Sequence, residues 1–285
     1  MTKIDQFESV FRSAAKTPYV YDAVSVQKIA LVSDLVADDA ETFANRVRRF
    51  LRVLADHEPE YVSLAGDDFD GVGDLLQQLQ GLQPDLIVTY RNLRMPAHEH
   101  PYSLGTHVDV LTQVMSYPVL LMPHPFSGEI EPQTWDGTMH VTAITDHLAG
   151  DDRLVNVAVA MTLENGKLTL THVEDQQTFA RYMKVIEKLP SIDSQEARTA
   201  IHQQLLKEPH DYITSCRQAL QERQFPVAVD EVIVVGHHLS EYKRLVAEHD
   251  VHLLVMNTKD EDQLAMHGLA YPLAVELRHI PLLLI

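Results

Sequence analysis

Along this chain, short continuous apolar runs alternate with stretches whose apolar residues recur every three or four positions. The closing segment, Asp230 to Ile285, shows the pattern most plainly. Glu231-Val-Ile-Val-Val-Gly236 and Val251-His-Leu-Leu-Val-Met256 are runs, and Leu239 to His249 between them has Tyr242, Leu245 and Val246 at helical spacing. A polar loop from Asn257 then leads to a helix over Ala270 to His279 and a last run, Pro281-Leu-Leu-Leu-Ile285. Apolar runs of this kind predict parallel strands covered on both faces, and the spaced stretches predict the covering helices. Ligands of such sheets bind beyond the carboxyl ends of the strands, where the strand order reverses, so the Asn257 loop is expected there.

The same alternation runs from the start. Residues 3 to 15 (Ile4, Phe7, Val10, Phe11) predict a short amphipathic helix, and Pro18-Tyr-Val-Tyr is extended or irregular. Lys28-Ile-Ala-Leu-Val-Ser-Asp34 is the first clear strand, and Asp38 or Asp39 is placed to cap the helix after it. That helix turns Phe43, Val47, Phe50, Leu51 and Leu54 to one side. Strands follow at Tyr61 to Ala65, Asp85 to Thr89 and Pro118 to Met122, with helices over Val72 to Leu82 and Gly105 to Met115. The three prolines, two glycines and single tryptophan between Pro123 and Gly137 mark a linker.

Beyond the linker the pattern starts again. Ile29-Ala-Leu-Val-Ser-Asp34 lines up with Val141-Thr-Ala-Ile-Thr-Asp146, each a strand closing on Ser or Thr and then Asp. Asp85-Leu-Ile-Val-Thr89 lines up with His252-Leu-Leu-Val-Met256. Leu104-Gly-Thr106 through Pro118-Val-Leu-Leu lines up with Leu269-Ala-Tyr271 through Pro281-Leu-Leu-Leu. The predicted organisation is an extension over 1–27, a first α/β domain over 28–123, a linker over 124–138 and a second domain over 139–285. The second copy adds a strand at Leu168 to Val173, a helix over Thr178 to Leu189 and a helical insertion at about 191–223. The first copy is one strand–helix pair shorter.

Composition narrows the function classes. The chain has 285 residues, a formal net charge of −18 and 45% hydrophobic residues. The charge argues against a nucleic-acid backbone or an anionic membrane as partner. No run approaches the length of a membrane-spanning helix, and acids stand where a signal peptide would carry basic residues. One cysteine, Cys216, rules out an internal disulfide and suits a reducing compartment, so a cytoplasmic protein is expected.

In the duplicated order of its motifs the chain resembles the universal stress protein family in its tandem two-domain form. The carriers are the aspartates closing each first strand, Asp34 and Asp146, and Leu170-Thr-His-Val-Glu-Asp175 after a second strand. Gly66-Asp67, read as following a third strand, Leu104-Gly-Thr106, and the closing Pro118-Val-Leu-Leu and Pro281-Leu-Leu-Leu-Ile add to them. The resemblance covers nearly everything from Lys28 on, apart from the linker and the insertion. It implies two tandem Rossmann-like domains of the adenine-nucleotide-hydrolase type, each a mainly parallel sheet of order 3-2-1-4-5 with helices on both faces. It also implies pairing through the closing strands, either within one chain as a pseudo-dimer, with Val119-Leu-Leu against Leu282-Leu-Leu, or between chains as a homodimer.

Members of that family that bind ATP carry G-x2-G-x9-G-[ST] before the last helix, where glycines let backbone N–H groups approach phosphate. The second copy places Asn257, Asp260, Ala270 and Tyr271 there, and Asp260-Glu-Asp262 sets like charge against a triphosphate. The first copy has Tyr90 and Leu93 for the leading glycines but keeps Gly105-Thr106, flanked by Arg91 and Arg94. Both loops therefore read as degenerate. No cofactor is expected; ATP or AMP in the first half is the alternative, at Asp34, Arg91, Arg94, Gly105 and Thr106. On this reading the first copy lacks the family's second strand, which lines the adenine pocket. Asp146, His237 and Asn257 are the ligand-binding candidates of the second half.

His98, His100 and His107 could supply metal ligands, and a metal-dependent hydrolase there is a third reading. Gly66-Asp-Asp-Phe-Asp-Gly71 fails as a calcium loop, since its first and twelfth positions, Gly66 and Gln77, carry no carboxylate. The context of Cys216 is that of a buried structural thiol. With no GxSxG, Walker loop or HExxH, no enzyme is indicated. The leading expectation is a non-enzymatic, cytoplasmic stress-response protein that binds a small ligand or a protein partner.

Overall fold

The computed structural model describes residues 18–96, 99–100, 102–125, 136–145, 148–189, 193–258 and 270–285. The expected helix over residues 3 to 15, most of the linker, Asp146, His98 and the acidic turn at 260–262 lie outside them.

Among the described residues, nine strands form one sheet. In chain order they are β1 (Lys28–Val32), β2 (Glu60–Leu64), β3 (Leu86–Tyr90), β4 (Val119–Met122), β5 (His140–Thr145), β6 (Lys167–Asp175), β7 (Ala228–Gly236), β8 (Leu253–Met256) and β9 (Leu282–Leu284). The spatial order is β2-β1-β3-β4-β9-β8-β5-β6-β7. The second half alone thus has the order 3-2-1-4-5 and the first half the same order less its outer strand. All pairings are parallel except β4 with β9, where Val119, Leu120 and Leu121 face Leu284, Leu283 and Leu282. The closing strands of the two halves therefore join edge to edge inside one chain.

One expectation is corrected. The strand at Glu60–Leu64, read from Gly66-Asp67 as a third strand, pairs with β1 in the second strand's place, where β6 sits beside β5. The missing piece is the outermost strand. Its absence leaves β2 as an edge, with Glu60 and Ser63 exposed and Tyr61, Val62 and Leu64 only half-buried, whereas a long helix packs against the opposite edge strand, β7.

The helices are α1 (Ala37–Phe50), α2 (Val72–Leu82), α3 (Thr106–Val114), α4 (Asp152–Ala160), α5 (Gln176–Ile186), α6 (Ser194–Glu222), α7 (His238–Glu248) and α8 (Ala270–Glu276). The 191–223 insertion is one helix, α6, which continues through Pro209 although that residue has no N–H to donate to the preceding turn. Asp38 and Asp39 do not cap α1: they lie within its first turn, where they complement the positive helix end without closing it. Asp151, Asp175 and Asp193 do cap α4, α5 and α6, accepting from Leu154, Thr178 and from Gln195 and Glu196.

The residues before β1 reach across to the second half. Tyr19 donates from its backbone to Ser215 Oγ (3.0 Å) and from its hydroxyl to Asn156 Oδ1 (2.5 Å). Val20 N–H donates to Asp152 (3.2 Å), and the Tyr19 ring meets Tyr212 edge-on at 6.3 Å. Residues 18–27 are thus a strap from α4 and α6 to the first strand. Cys216 is fully buried near its end; burial, then the Asp152 charge, push its thiol up to about 12, as befits an inert core residue.

At the amino ends of β5 and β8, His140 is buried. Its Nδ1 donates to the Asp250 carbonyl (3.1 Å), and its Nε2 accepts from Thr169 (2.9 Å). Its own backbone N–H donates to His252 Nδ1 (2.9 Å). Burial, with the nearby Lys167 charge and the flanking His249 and His252, lowers its pKa to about 4, against the Asp250 carbonyl. The neutral ring is therefore the folded form, so stability is present above the unfolded value of about 6.5 and drains as pH falls toward 4. Allowing for solvent screening, this is worth about 2 kcal/mol. Urea unfolding at pH 7 and pH 4.5 should show that loss in the wild type and a smaller one in His140→Gln.

Candidate functional site

The first-half crevice opens where β1 and β3 end. Asp34, two residues past β1, accepts from the Tyr90 hydroxyl in a short hydrogen bond and from the Arg94 backbone N–H at 2.8 Å. Tyr90 closes β3 and is fully buried, ringed edge-on by Phe43 at 5.3 Å and His124 at 5.0 Å. Burial and the Asp34 carboxylate both push the Tyr90 phenol upward, so it stays a donor. Leu93 is fully buried as well. The two positions where an ATP-binding loop needs glycine thus hold side chains that fill the crevice from within.

The Arg94 guanidinium serves the backbone. It donates to the carbonyls of Gly66 (2.5 Å), Asp70 (3.0 Å) and Phe69 (a short bond), and lies 4.4 Å from the centre of the Phe69 ring. Three of its five N–H groups therefore fasten the β2–α2 loop onto the β3–α3 loop.

Arg91 points the other way. Its side chain is buried, with Nε donating to Ala274 O at 2.7 Å and a terminal nitrogen to Leu277 O at 2.8 Å. These are carbonyls at and just past the end of α8, which have no partner within the helix, and the negative helix end favours a cation there. Burial, with the Arg278 charge adding, lowers Arg91 to about 9, which still leaves it charged at neutral pH. The residue expected to face a ligand instead ties the first half to the second.

Gly105 and Thr106 sit together at the start of α3, as expected, with a different task. Gly105 has φ +89°, and a Cβ there would come within 2.8 Å of Asn92 Cα. The Asn92 N–H donates to Leu104 O at 2.7 Å, so the loop lies directly on the helix entry. The Thr106 N–H and hydroxyl both point at the Met95 sulfur, at 3.5 and 3.6 Å. The glycine admits the protein's own backbone where the family motif would admit a phosphate.

His107, in the first turn of α3, is buried edge-on against Phe69 at 6.0 Å. Burial, then Arg94, hold its pKa below the usual imidazole range. Among the described residues neither ring nitrogen has a hydrogen-bond partner, and Asn92 Oδ1 also lacks one. His100 is exposed. Among the described residues no group of three or more His, Cys, Asp or Glu is placed to hold a metal ion.

In the second half, Asn257 directly follows β8, and its amide donates to Asp151 at 2.5 Å. Asp151 also caps α4, and burial raises its pKa against those two hydrogen bonds. His237 is exposed at the head of α7 without capping it. His238, beside it, stacks on Tyr242 with ring centres 6.2 Å apart and lies 3.9 Å from Asp175. The Tyr271 hydroxyl faces Asp109 of α3 and, with Ser103, opposes the upward pull of burial on that carboxyl. Of the predicted residues, Asp34, Arg94, Gly105 and Thr106 come together with His107, Arg91 turns to the seam, and His237 and Asn257 belong to the other half. Tyr90, Phe69, Asn92 and Met95 do the filling. Of the filling residues Tyr90, with Leu93, carried a signal, as a bulky residue at a glycine position.

If Gly105 serves packing, Gly105→Ala should destabilise the chain by about 1–3 kcal/mol through the positive φ and the Asn92 contact. Chemical denaturation would measure it. A glycine kept only for phosphate access would leave the stability of the free protein unchanged.

No protein-family model and no curated protein sequence matches the chain. Among solved structures, it is similar to a candidate universal stress protein from Pseudomonas aeruginosa UCBPP-PA14. The TM-score is 0.50 at 13% identity, over 91% of this chain and 93% of that one. It is also similar to a functionally unknown protein from Pseudomonas aeruginosa PAO1, with TM-score 0.51 and 12% identity over 91% and 92% of the two chains. At such identities the likeness is one of fold, and function has to be argued from the site. Each match runs nearly end to end in both partners, so the likeness takes in both halves. The chain has the Rossmann-like fold of the universal stress proteins in a tandem arrangement.

Proposed function

We propose that the protein is a non-enzymatic, cytoplasmic stress-response protein of the tandem universal stress type, acting by binding a small ligand or a partner without turning over nucleotide. The observation that carries this is the clasp of Tyr90 on Asp34, with the Arg94 guanidinium spent on three carbonyls of the neighbouring loop. A triphosphate in the first half would need donors that the protein already uses and space that Tyr90 and Leu93 occupy. A sheet whose two halves join within one chain suits a receptor that works as a single chain.

A second reading, AMP or ATP held near Asp34, Gly105 and Thr106, draws on three buried polar atoms there. They are Asn92 Oδ1 and the two ring nitrogens of His107. Native mass spectrometry and equilibrium dialysis of the full chain with millimolar ATP or AMP separate the two. The proposed function expects no retained nucleotide. Stoichiometric retention that Tyr90→Phe or His107→Ala alters would support the second reading and contradict the first.

A further inference from the structure

A groove of about 660 Å³ lies beneath the strap, between the amino ends of β3 and β4 and the helix α4. It is at the opposite end of the first-half strands from Asp34, and it exists because residues 18–27 bridge the two halves. Its volume is in the range of small-molecule sites. Val24 and Val26 of the strap, Leu86, Pro118, Val157 and Met161 give it largely apolar walls.

Two donors stand among these walls. Arg153 and Asn156 are three residues apart on α4 and share a helix face. Asn156 is only 6% exposed; its Oδ1 takes the Tyr19 hydroxyl, while its Nδ2 donates to no group among the described residues. Arg153 is exposed and makes no hydrogen bond or ion pair among the described residues. Three carboxylates also line the groove. Asp85 is engaged by the N–H groups of Gln27 and Lys28, and Asp152 by Val20 N–H and the Tyr212 hydroxyl. Asp22 is exposed on the strap.

One cation against three anions disfavours phosphates and carboxylates, and the apolar walls give little to a sugar. We propose that the groove binds an uncharged, mainly apolar small molecule whose carbonyl or amide oxygen accepts from Asn156 Nδ2 and Arg153. Its occupant touches the strap, the first-half strand ends and α4 together, so binding favours the docked strap.

The test uses the full chain and 6-propionyl-2-dimethylaminonaphthalene, an uncharged fluorescent aromatic ketone. Saturable, blue-shifted emission at one equivalent is expected. Ala23→Trp fills the mouth of the groove from an exposed strap position and should weaken binding about tenfold or more. Arg153→Ala should weaken it about threefold with unchanged thermal unfolding. No saturable blue shift, or wild-type affinity in either variant, overturns the site. Displacement of the ketone by an anionic naphthalene sulfonate at equal or lower concentration overturns the ligand class.

Discussion

The structure depends on a three-residue antiparallel contact. Four strands of the first half and five of the second would each present an apolar closing edge, a template for association with other chains. Here β4 and β9 supply each other's missing hydrogen bonds and bury Leu120 against Leu283 at the centre of a nine-stranded sheet. Three further ties reinforce the seam from both sides. Arg91 holds the last carbonyls of α8, Tyr271 reaches Asp109 of α3, and the strap fastens Tyr19 between Ser215 and Asn156. Each takes a residue of one half and spends its polar groups on the other.

That economy of polar groups explains the first-half crevice. A Rossmann-like crevice binds anions because backbone N–H groups and a helix end are left without partners. In this protein the donors are engaged from inside: Asp34 takes the Tyr90 hydroxyl and the Arg94 N–H, while Met95 covers the start of α3. The β3–α3 loop is long enough to fold back over the helix it introduces, and Gly105 is what lets it come so close. Among the described residues, polar atoms of His107 and Asn92 that stay unpaired are buried beneath the loop.

Much of this was legible in the sequence, for a definite reason. Strands buried on both faces must be apolar throughout, and their covering helices must be apolar on one side, so the alternation of Leu86–Tyr90, Thr106–Val114 and Val119–Met122 shows directly. Strand identity was less legible. Glu60–Leu64 reads as a strand, but only pairing with β1 shows that it takes the second place, because nothing local to five residues records a neighbour. The direction of Arg91 was hidden for the same reason: its carbonyl partners lie more than 180 residues away. Arg94 was read as a partner for an anion in the crevice. Its preference for the carbonyls of residues 66–70 depends on loop geometry that spacing does not encode. The strap was the least visible element, since Pro18-Tyr-Val-Tyr has neither period.

Native-state hydrogen exchange at the β4 and β9 amides shows whether the seam belongs to the core. If the seam is part of the core, these amides exchange only through global unfolding, with the same free energy and denaturant dependence as those of β3 and β5. Exchange through a separate opening of far lower free energy, with both halves still protected, would show two independent units in contact and contradict the account.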